Sequence, residues 1–304
     1  QSERAAAAGL SISPMQALAE AHPAAVFQLR AQYRMADDLA KISNVISYGG
    51  ALRAANEQVA SRVMRCLLSK TETDVVRALG LGSLGSANAE DSRQKNERDA
   101  AWLVAASDPN RRVVFLDTSD GGDAAFETSD VGVVRESKSG PVRGNKHVNA
   151  YERFIVMRVL EALRARGAEP GSVAVLSPYN SQVDELDAEL RRREAGTGDL
   201  GDAENPEANP SGLPIPEGVE ALTIDRAQGR DVDCVVLSFC RANEARDAGR
   251  LLADRRRLNV ALTRARSKLV LVGHGKTLAR SPVLSQVLGV VLKNGWMVHL
   301  PPVT

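Results

Sequence analysis

The stretch VEALTIDRAQGRDVDCVVLSF (219–239), followed after a short spacer by RRLNVALTRARSKLVLVG (256–273), decides the fold. Two apolar runs, Cys234 to Phe239 and Lys268 to Gly273, each follow a polar cluster: Gln-Gly-Arg-Asp before the first, Thr-Arg-Ala-Arg before the second. Such near-continuous apolar runs are the mark of strands covered on both faces. Charged groups therefore fall at strand and helix ends along one edge of a buried sheet, an arrangement suited to phosphate chemistry.

Outward from this stretch the pattern repeats. Upstream, SVAVLSPY (172–179) predicts a strand, SQVDELDAELRRRE (181–194) a helix, VVFLD (113–117) a strand and 147–166 a long helix stopped by Gly167 and Pro170. Pro14 opens a short helix over 14–22, a strand is expected at Val26 to Leu29, and a helix from about Met35. Downstream, a strand over 219–225 and one over 234–240 precede a helix over 254–266, a strand over 268–273, a helix over 276–293 and a last strand at Met297 to Leu300. Alternating strands and helices predict an α/β domain with a mostly parallel sheet and helices on both faces, whose ligands gather at the strand carboxyl ends. One domain is expected over 1–304, with 51–110 a variable, partly disordered insertion and the Gly/Pro/Asn-rich 196–217 a loop or linker.

Composition excludes several classes. With 304 residues, 43% hydrophobic and 25% charged, the chain has enough material for a sizeable core. A net charge of +1 provides no global basic field, so any surface for nucleic acid must be local. The three cysteines, Cys66, Cys234 and Cys240, show no paired spacing and the four histidines are scattered, so neither a disulfide framework nor a metal site is indicated. No apolar run reaches the roughly 18 residues of a membrane span. The opening QSERAAAAGLS is not a signal peptide and reads as the interior of a longer protein.

Arg34 in QYRM and Arg264 in LNVALTRAR are the arginines best placed for chemistry. Each lies beside a predicted element end, where a guanidinium fork can reach phosphate oxygens and neutralise charge developing in phosphoryl transfer. A surface or salt-bridged arginine is the alternative for either.

Taken in order, LRAQYRM, VAVLSPYNSQV, EALTIDRAQGRDVDCVVLSF and RRLNVALTRARSKLVLVG resemble consecutive motifs of the second RecA-like domain of superfamily-one helicases of the up-frameshift-like group. Within that group, the tract from Gln228 to Gly273, together with ISYGG (46–50), is similar to the eukaryotic DNA replication ATP-dependent helicase/nuclease family. The likeness is poor over 51–110 and 196–217. It implies a RecA-like fold of the P-loop NTPase class, acting as a second motor lobe without a P-loop of its own. It further implies that Arg34 and Arg264 are arginine fingers on the ATP γ-phosphate and that Tyr33 stacks near the adenine. Gly229 and Asp231 would line the nucleotide cleft, Asp231 toward the ribose. Ser177, Pro178, Tyr179 and Thr223 would touch the backbone of single-stranded DNA without reading sequence. The alternatives are a half-buried aromatic for Tyr33, a turn glycine for Gly229, a Ser-Pro strand end for Ser177 and Pro178, and an in-strand threonine for Thr223. Asn149 and Glu152 match a further family element and receive no role.

The same resemblance implies ATP with Mg²⁺ held mostly by a first RecA-like lobe, a 4Fe-4S cluster only in an upstream nuclease domain, and 5′ to 3′ movement on DNA. Expected partners are single-stranded DNA or a 5′ flap, the first lobe of the same protein and a single-strand-binding protein; the expected location is the nucleus, with the mitochondrion as a second site. An RNA helicase of the same group and a non-catalytic RecA-like module are the competing readings. Three lookalikes are set aside. Gly275-Lys276-Thr277 lacks the earlier glycine of a phosphate loop. Asp117 in VVFLD has no following glutamate, and Asp117 with Glu136 and Lys138 forms only a loose imitation of a metal nuclease. The arginine triplets 191–193 and 255–257 are expected on solvated helix faces.

Overall fold

The computed structural model describes residues 3–10, 12–67, 70–81, 100–135, 142–194 and 213–302. The strands are β1 (Ala31–Gln32), β2 (Arg53–Ala54), β3 (Val113–Asp117), β4 (Thr128–Arg135), β5 (Val142–Val148), β6 (Val173–Ser177), β7 (Glu220–Thr223), β8 (Val232–Ser238), β9 (Ala265–Gly273) and β10 (Met297–His299). The main helices are α1 (Pro14–Ala21), α2 (Asp37–Ser43), α3 (Glu72–Ala78), α4 (100–107), α5 (Ala150–Arg166), α6 (Asn180–Glu194), α7 (Arg255–Leu262) and α8 (Pro282–Lys293). Six strands form one parallel sheet in the order β10-β3-β9-β8-β6-β7.

Period-two alternation divides each central strand between two cores. Val114, Leu116, Val175, Val236, Val270 and Val272 face the layer that holds α4, α5 and α6. Val113, Phe115, Val235, Leu237, Leu269 and Leu271 face the opposite layer, with α2, α7 and α8. Both faces are covered, so the apolar runs are continuous in sequence, as a parallel sheet requires.

Local chemistry sets the ends. Asn149 caps α5 by accepting from Glu152 N, and Gly167, at φ 92°, closes it. Pro282 starts α8 after a separate short turn, Gly275–Leu278, so the single helix expected over 276–293 is two. The helix expected to 266 ends at Leu262, and β9 begins at Ala265, inside the expected helix and three residues before the strand start expected at 268. Side chains account for the stop: Val260 O, which Arg264 N would take in a continued helix, accepts instead from Thr263 Oγ1 and Arg264 Nε.

The strand expected at Val26 to Leu29 is absent. A 3-10 turn, Pro23–Ala25, precedes extended chain, and Phe27 is 94% exposed. Among the described residues only Ala31–Gln32 of this region pairs, with Arg53–Ala54, so the preceding apolar run has no neighbouring strand to complete it. The described part of 51–110 contributes Met64, Val75, Trp102 and Leu103 to the core. Most of 196–217 lies outside the described residues, although Ile215 is buried. An antiparallel hairpin, β4–β5, occupies the Gly/Ser/Asp-rich tract in which no strand was expected.

Candidate functional site

Two arginines from distant parts of the chain meet one carboxylate. Gln32 fixes the turn that carries the first: its Oε1 accepts from Arg34 N at 2.8 Å and Met35 N at 2.7 Å, and its Nε2 donates to Met35 O at 2.7 Å. Ala36 N then donates to Arg266 O, tying this turn to the amino end of β9. Arg34 Nε lies 2.9 Å from Asp231 Oδ2, and its side chain is 41% exposed. Arg264 sits between α7 and β9. Its Nε donates to Val260 O at 2.9 Å, near the end of α7, a carbonyl that also accepts from Thr263 Oγ1 at 3.2 Å, and its Nη1 and Nη2 reach Arg230 O and Thr263 Oγ1, each at 3.3 Å. Arg264 Nη1 is 3.5 Å from Asp231 Oδ1, an ion pair by distance that leaves this buried oxygen without a hydrogen bond. Burial, and then the charge of Arg34, press the Arg264 pKa below its ordinary value.

The two guanidinium groups share the rim of an open cleft of about 640 Å³, lined also by Tyr33, Tyr48, Asn259 and Arg266. Tyr33 is 71% exposed at this rim. A second cavity of about 430 Å³ adjoins it; Asp231 and Arg264 border both. Gly229 lines neither cavity. It is exposed, at φ 87°, in the turn before β8, next to Arg230 and Asp231, which line the second cavity. Asp231 was expected to face a ribose; here it holds Arg34 and Arg264.

Asp231 and Arg264 immediately precede β8 and β9, so this cleft lies at the amino ends of the strands, against the expected carboxyl ends. The polar clusters on either side of it do share one edge, as the spacing of QGRD and TRAR suggested.

The residues expected to touch nucleic acid lie at the opposite, carboxyl edge, where Ser177 pairs in register with Thr223. Ser177 has no exposed surface, and Tyr179 is 9% exposed, packed edge to face on His147 with ring centroids 5.0 Å apart. Burial drives the Tyr179 pKa up. The Ser-Pro turn folds both side chains under the edge, while Pro178 and Thr223 are partly exposed.

Sequence reasoning passed over Gln32, Tyr48 and Asn259, which no local spacing marks, and Arg241, whose buried guanidinium joins Glu127, His147 and the carbonyl of Asp247. The lookalikes resolve simply. Gly275 N donates to Asp117 Oδ1, which also accepts from Ser119, so this carboxylate closes a helix start. Glu136 and Lys138 lie outside the described residues. Arg193, expected in solvent, is buried against Glu161 and Glu189. Among the described residues no cluster of three metal-ligating side chains occurs, and no helix is long and apolar enough to cross a membrane.

The profile of the AAA domain family matches residues 10–276. The chain is similar to the DNA replication ATP-dependent helicase/nuclease of Schizosaccharomyces pombe, 30% identical over 292 residues, covering 96% of this chain and 17% of that protein. It is 31% identical over 304 residues to the protein of the same description in Arabidopsis thaliana, covering 99% of this chain and 18% of the relative. The corresponding Bos taurus protein is 30% identical over 297 residues, covering 98% of this chain and 23% of its own length. The chain thus spans about a fifth of the length of these relatives.

Proposed function

The chain belongs to the AAA domain family and is a helicase domain related to the helicase/nucleases of DNA replication; from that membership we propose that it is the second motor lobe of an ATP-dependent 5′ to 3′ DNA helicase. The observation that carries this reading is the convergence of Arg34 and Arg264 on Asp231 at the rim of an open cleft. A nucleotide held by a neighbouring lobe would present its γ-phosphate to this rim, and the phosphate would compete with the carboxylate for both guanidinium groups.

The two arginines are unequally equipped. Arg264 uses its fork to cap α7 and hold Arg230, so it supplies a fixed positive charge aimed by the scaffold. Arg34 keeps more of its donors free of backbone partners and is the more exposed, so it can swing from Asp231 to phosphate as the lobes close. Asp231 restrains two like charges until the ligand arrives. Tyr33, exposed on the same rim, is suited to stack on the base.

ATP is the substrate in this reading. Mg²⁺ would supply charge neutralisation on the phosphates, but the only carboxylate lining the cleft among the described residues, Asp231, is engaged by arginines, so these residues do not form its ligand set. A single strand would lie along the carboxyl edge near Pro178 and Thr223. By likeness to the relatives, the whole protein would act in DNA replication and repair in the nucleus, would process 5′ flaps with a single-strand-binding protein, and would carry its nuclease with a 4Fe-4S cluster elsewhere in the chain.

The test is ATPase and unwinding by the full-length protein on matched DNA and RNA flaps. ATP-dependent opening of DNA flaps is expected; selective opening of RNA would move the chain to the RNA helicases, and absence of turnover would leave it a non-catalytic module.

A further inference from the structure

Asn149, Glu152 and Gln182 form a buried polar network under the carboxyl edge, with no exposed surface on any of the three. Asn149 Nδ2 donates to Ala125 O at 2.9 Å and Cys240 O at 3.1 Å, while its backbone N donates to Gln182 Oε1 at 2.8 Å. Gln182 Nε2 donates to Asn149 O at 3.1 Å and Ser238 Oγ at 3.3 Å. Glu152 Oε2 accepts from Ser238 Oγ at 2.7 Å and Cys240 N at 2.8 Å. Both backbone polar groups of Cys240 are thereby held, and Cys240 has φ 67°, in the left-handed region that non-glycine residues seldom adopt. The network maintains this turn where β8 leaves the sheet.

The turn has a purpose downstream. It delivers Arg241 to Glu127 at 3.2 Å, to His147 Nε2 at 2.9 Å and to Asp247 O at 2.7 Å, which anchors the loop 241–250. His147 in turn packs on Tyr179, which follows Pro178. A Cβ added at Gly249 would stand 3.2 Å from the Tyr179 hydroxyl, so the loop lies directly on the Ser-Pro turn.

We propose that Asn149, Glu152 and Gln182 are positioning residues for nucleic-acid binding: by holding Cys240 in its left-handed turn they set Arg241, the 241–250 loop and the Pro178 turn as one surface along the carboxyl edge. This rests on the reading that the carboxyl edge carries the strand. Burial pushes the Glu152 carboxyl pKa up to about 8, which favours the neutral acid at neutral pH. A glutamine should therefore replace it, whereas a side chain of similar size without an acceptor should not.

The experiment compares Glu152→Gln, Glu152→Met and Gln182→Met in the full-length protein. Affinity for a fluorescent oligothymidylate and the DNA dependence of ATPase are measured together. Glu152→Met should raise both the Kd and the DNA concentration for half-maximal ATPase about tenfold, with kcat at saturating DNA retained, and Glu152→Gln should restore wild-type values. If Glu152→Met fails to fold, Gln182→Met, which removes the bonds to Asn149 and Ser238 and the contact with Cys240 Sγ but leaves Glu152 in place, carries the same expectation. The inference is overturned if folded Met variants bind as wild type does, if kcat falls while DNA affinity stays, or if Glu152→Gln is as weak as Glu152→Met. A wild-type protein that fails to bind the oligonucleotide instead removes the functional reading of this edge.

Discussion

Arg34 Nε stands 2.9 Å from Asp231 Oδ2, joining the turn before α2 to the residue that precedes β8. Arg264 reaches the other oxygen of the same carboxylate at 3.5 Å and Arg266 Nη2 lies 4.0 Å from Oδ2, so removal of either Arg34 or Arg264 leaves Asp231 with the other and with Arg266.

Arg34→Ala and Arg264→Ala in the full-length protein should each lower ATPase kcat by about 10³-fold or more, the scale of a lost arginine finger. Single-stranded DNA affinity should be retained. Arg264→Lys should be nearly as inactive as Arg264→Ala, because an ammonium cannot cap Val260 O and hold Arg230 O together. Turnover near the wild-type rate in Arg264→Ala would remove this residue from the mechanism.

Asp231→Ala distinguishes an orienting carboxylate from a ribose contact. If Asp231 serves by holding the arginines, turnover should fall by the same factor with ATP and with 2′-deoxy-ATP. A loss confined to ATP would instead restore the ribose role.

Stability should pass through a minimum near pH 8. Burial raises the Glu152 pKa from 4.5 to about 8, against the opposing bonds from Ser238 and Cys240 and with a small contribution from Glu127. Between those values the folded chain keeps a proton that the unfolded chain has released, so stability falls as pH rises. Lys268, fully buried with its Nζ on the carbonyls of Asp108 and Arg111, has its pKa lowered from 10.5 to about 8, again by burial first. Above pH 8 the folded chain has lost a proton that the unfolded chain retains, so stability recovers. Urea melts across pH 5 to 10 check this: Glu152→Gln should flatten the acid limb and Lys268→Met the alkaline limb. An acid limb unchanged in Glu152→Gln would assign that slope to other groups.

Tyr179→Phe should keep the ring on His147 and leave oligonucleotide affinity unaltered, while Tyr179→Ala should cost about 3–5 kcal/mol of stability as a buried ring is lost. Weaker binding by a normally stable Tyr179→Phe would mean that the hydroxyl reaches the strand after all.

The sheet was legible because its strands are buried on both faces, so Val113 to Leu116, Val173 to Leu176 and Cys234 to Leu237 carry unbroken apolar runs. The same criterion misreads Val26 to Leu29, whose apolar character says nothing about whether a neighbouring strand is present to pair with it. The hairpin β4–β5 was hidden for the converse reason: Gly132, Gly144 and the surrounding polar residues weaken any strand signal, and antiparallel pairing over twenty residues is not a local property. In the site, Arg34 and Arg264 stood out through their motifs, whereas Asp231 as their shared anchor, the burial of Tyr179 and the isolation of Glu152 all arise from contacts between segments far apart in sequence.

Strand β8 begins beside Asp231 and ends at Ser238, one terminus abutting the arginine rim and the other resting on Glu152. Its seven residues span about 20 Å and are hydrogen-bonded on both sides. Under the proposed reading, nucleotide at one terminus and a single strand at the other would meet through this one paired segment, with no side chain in common.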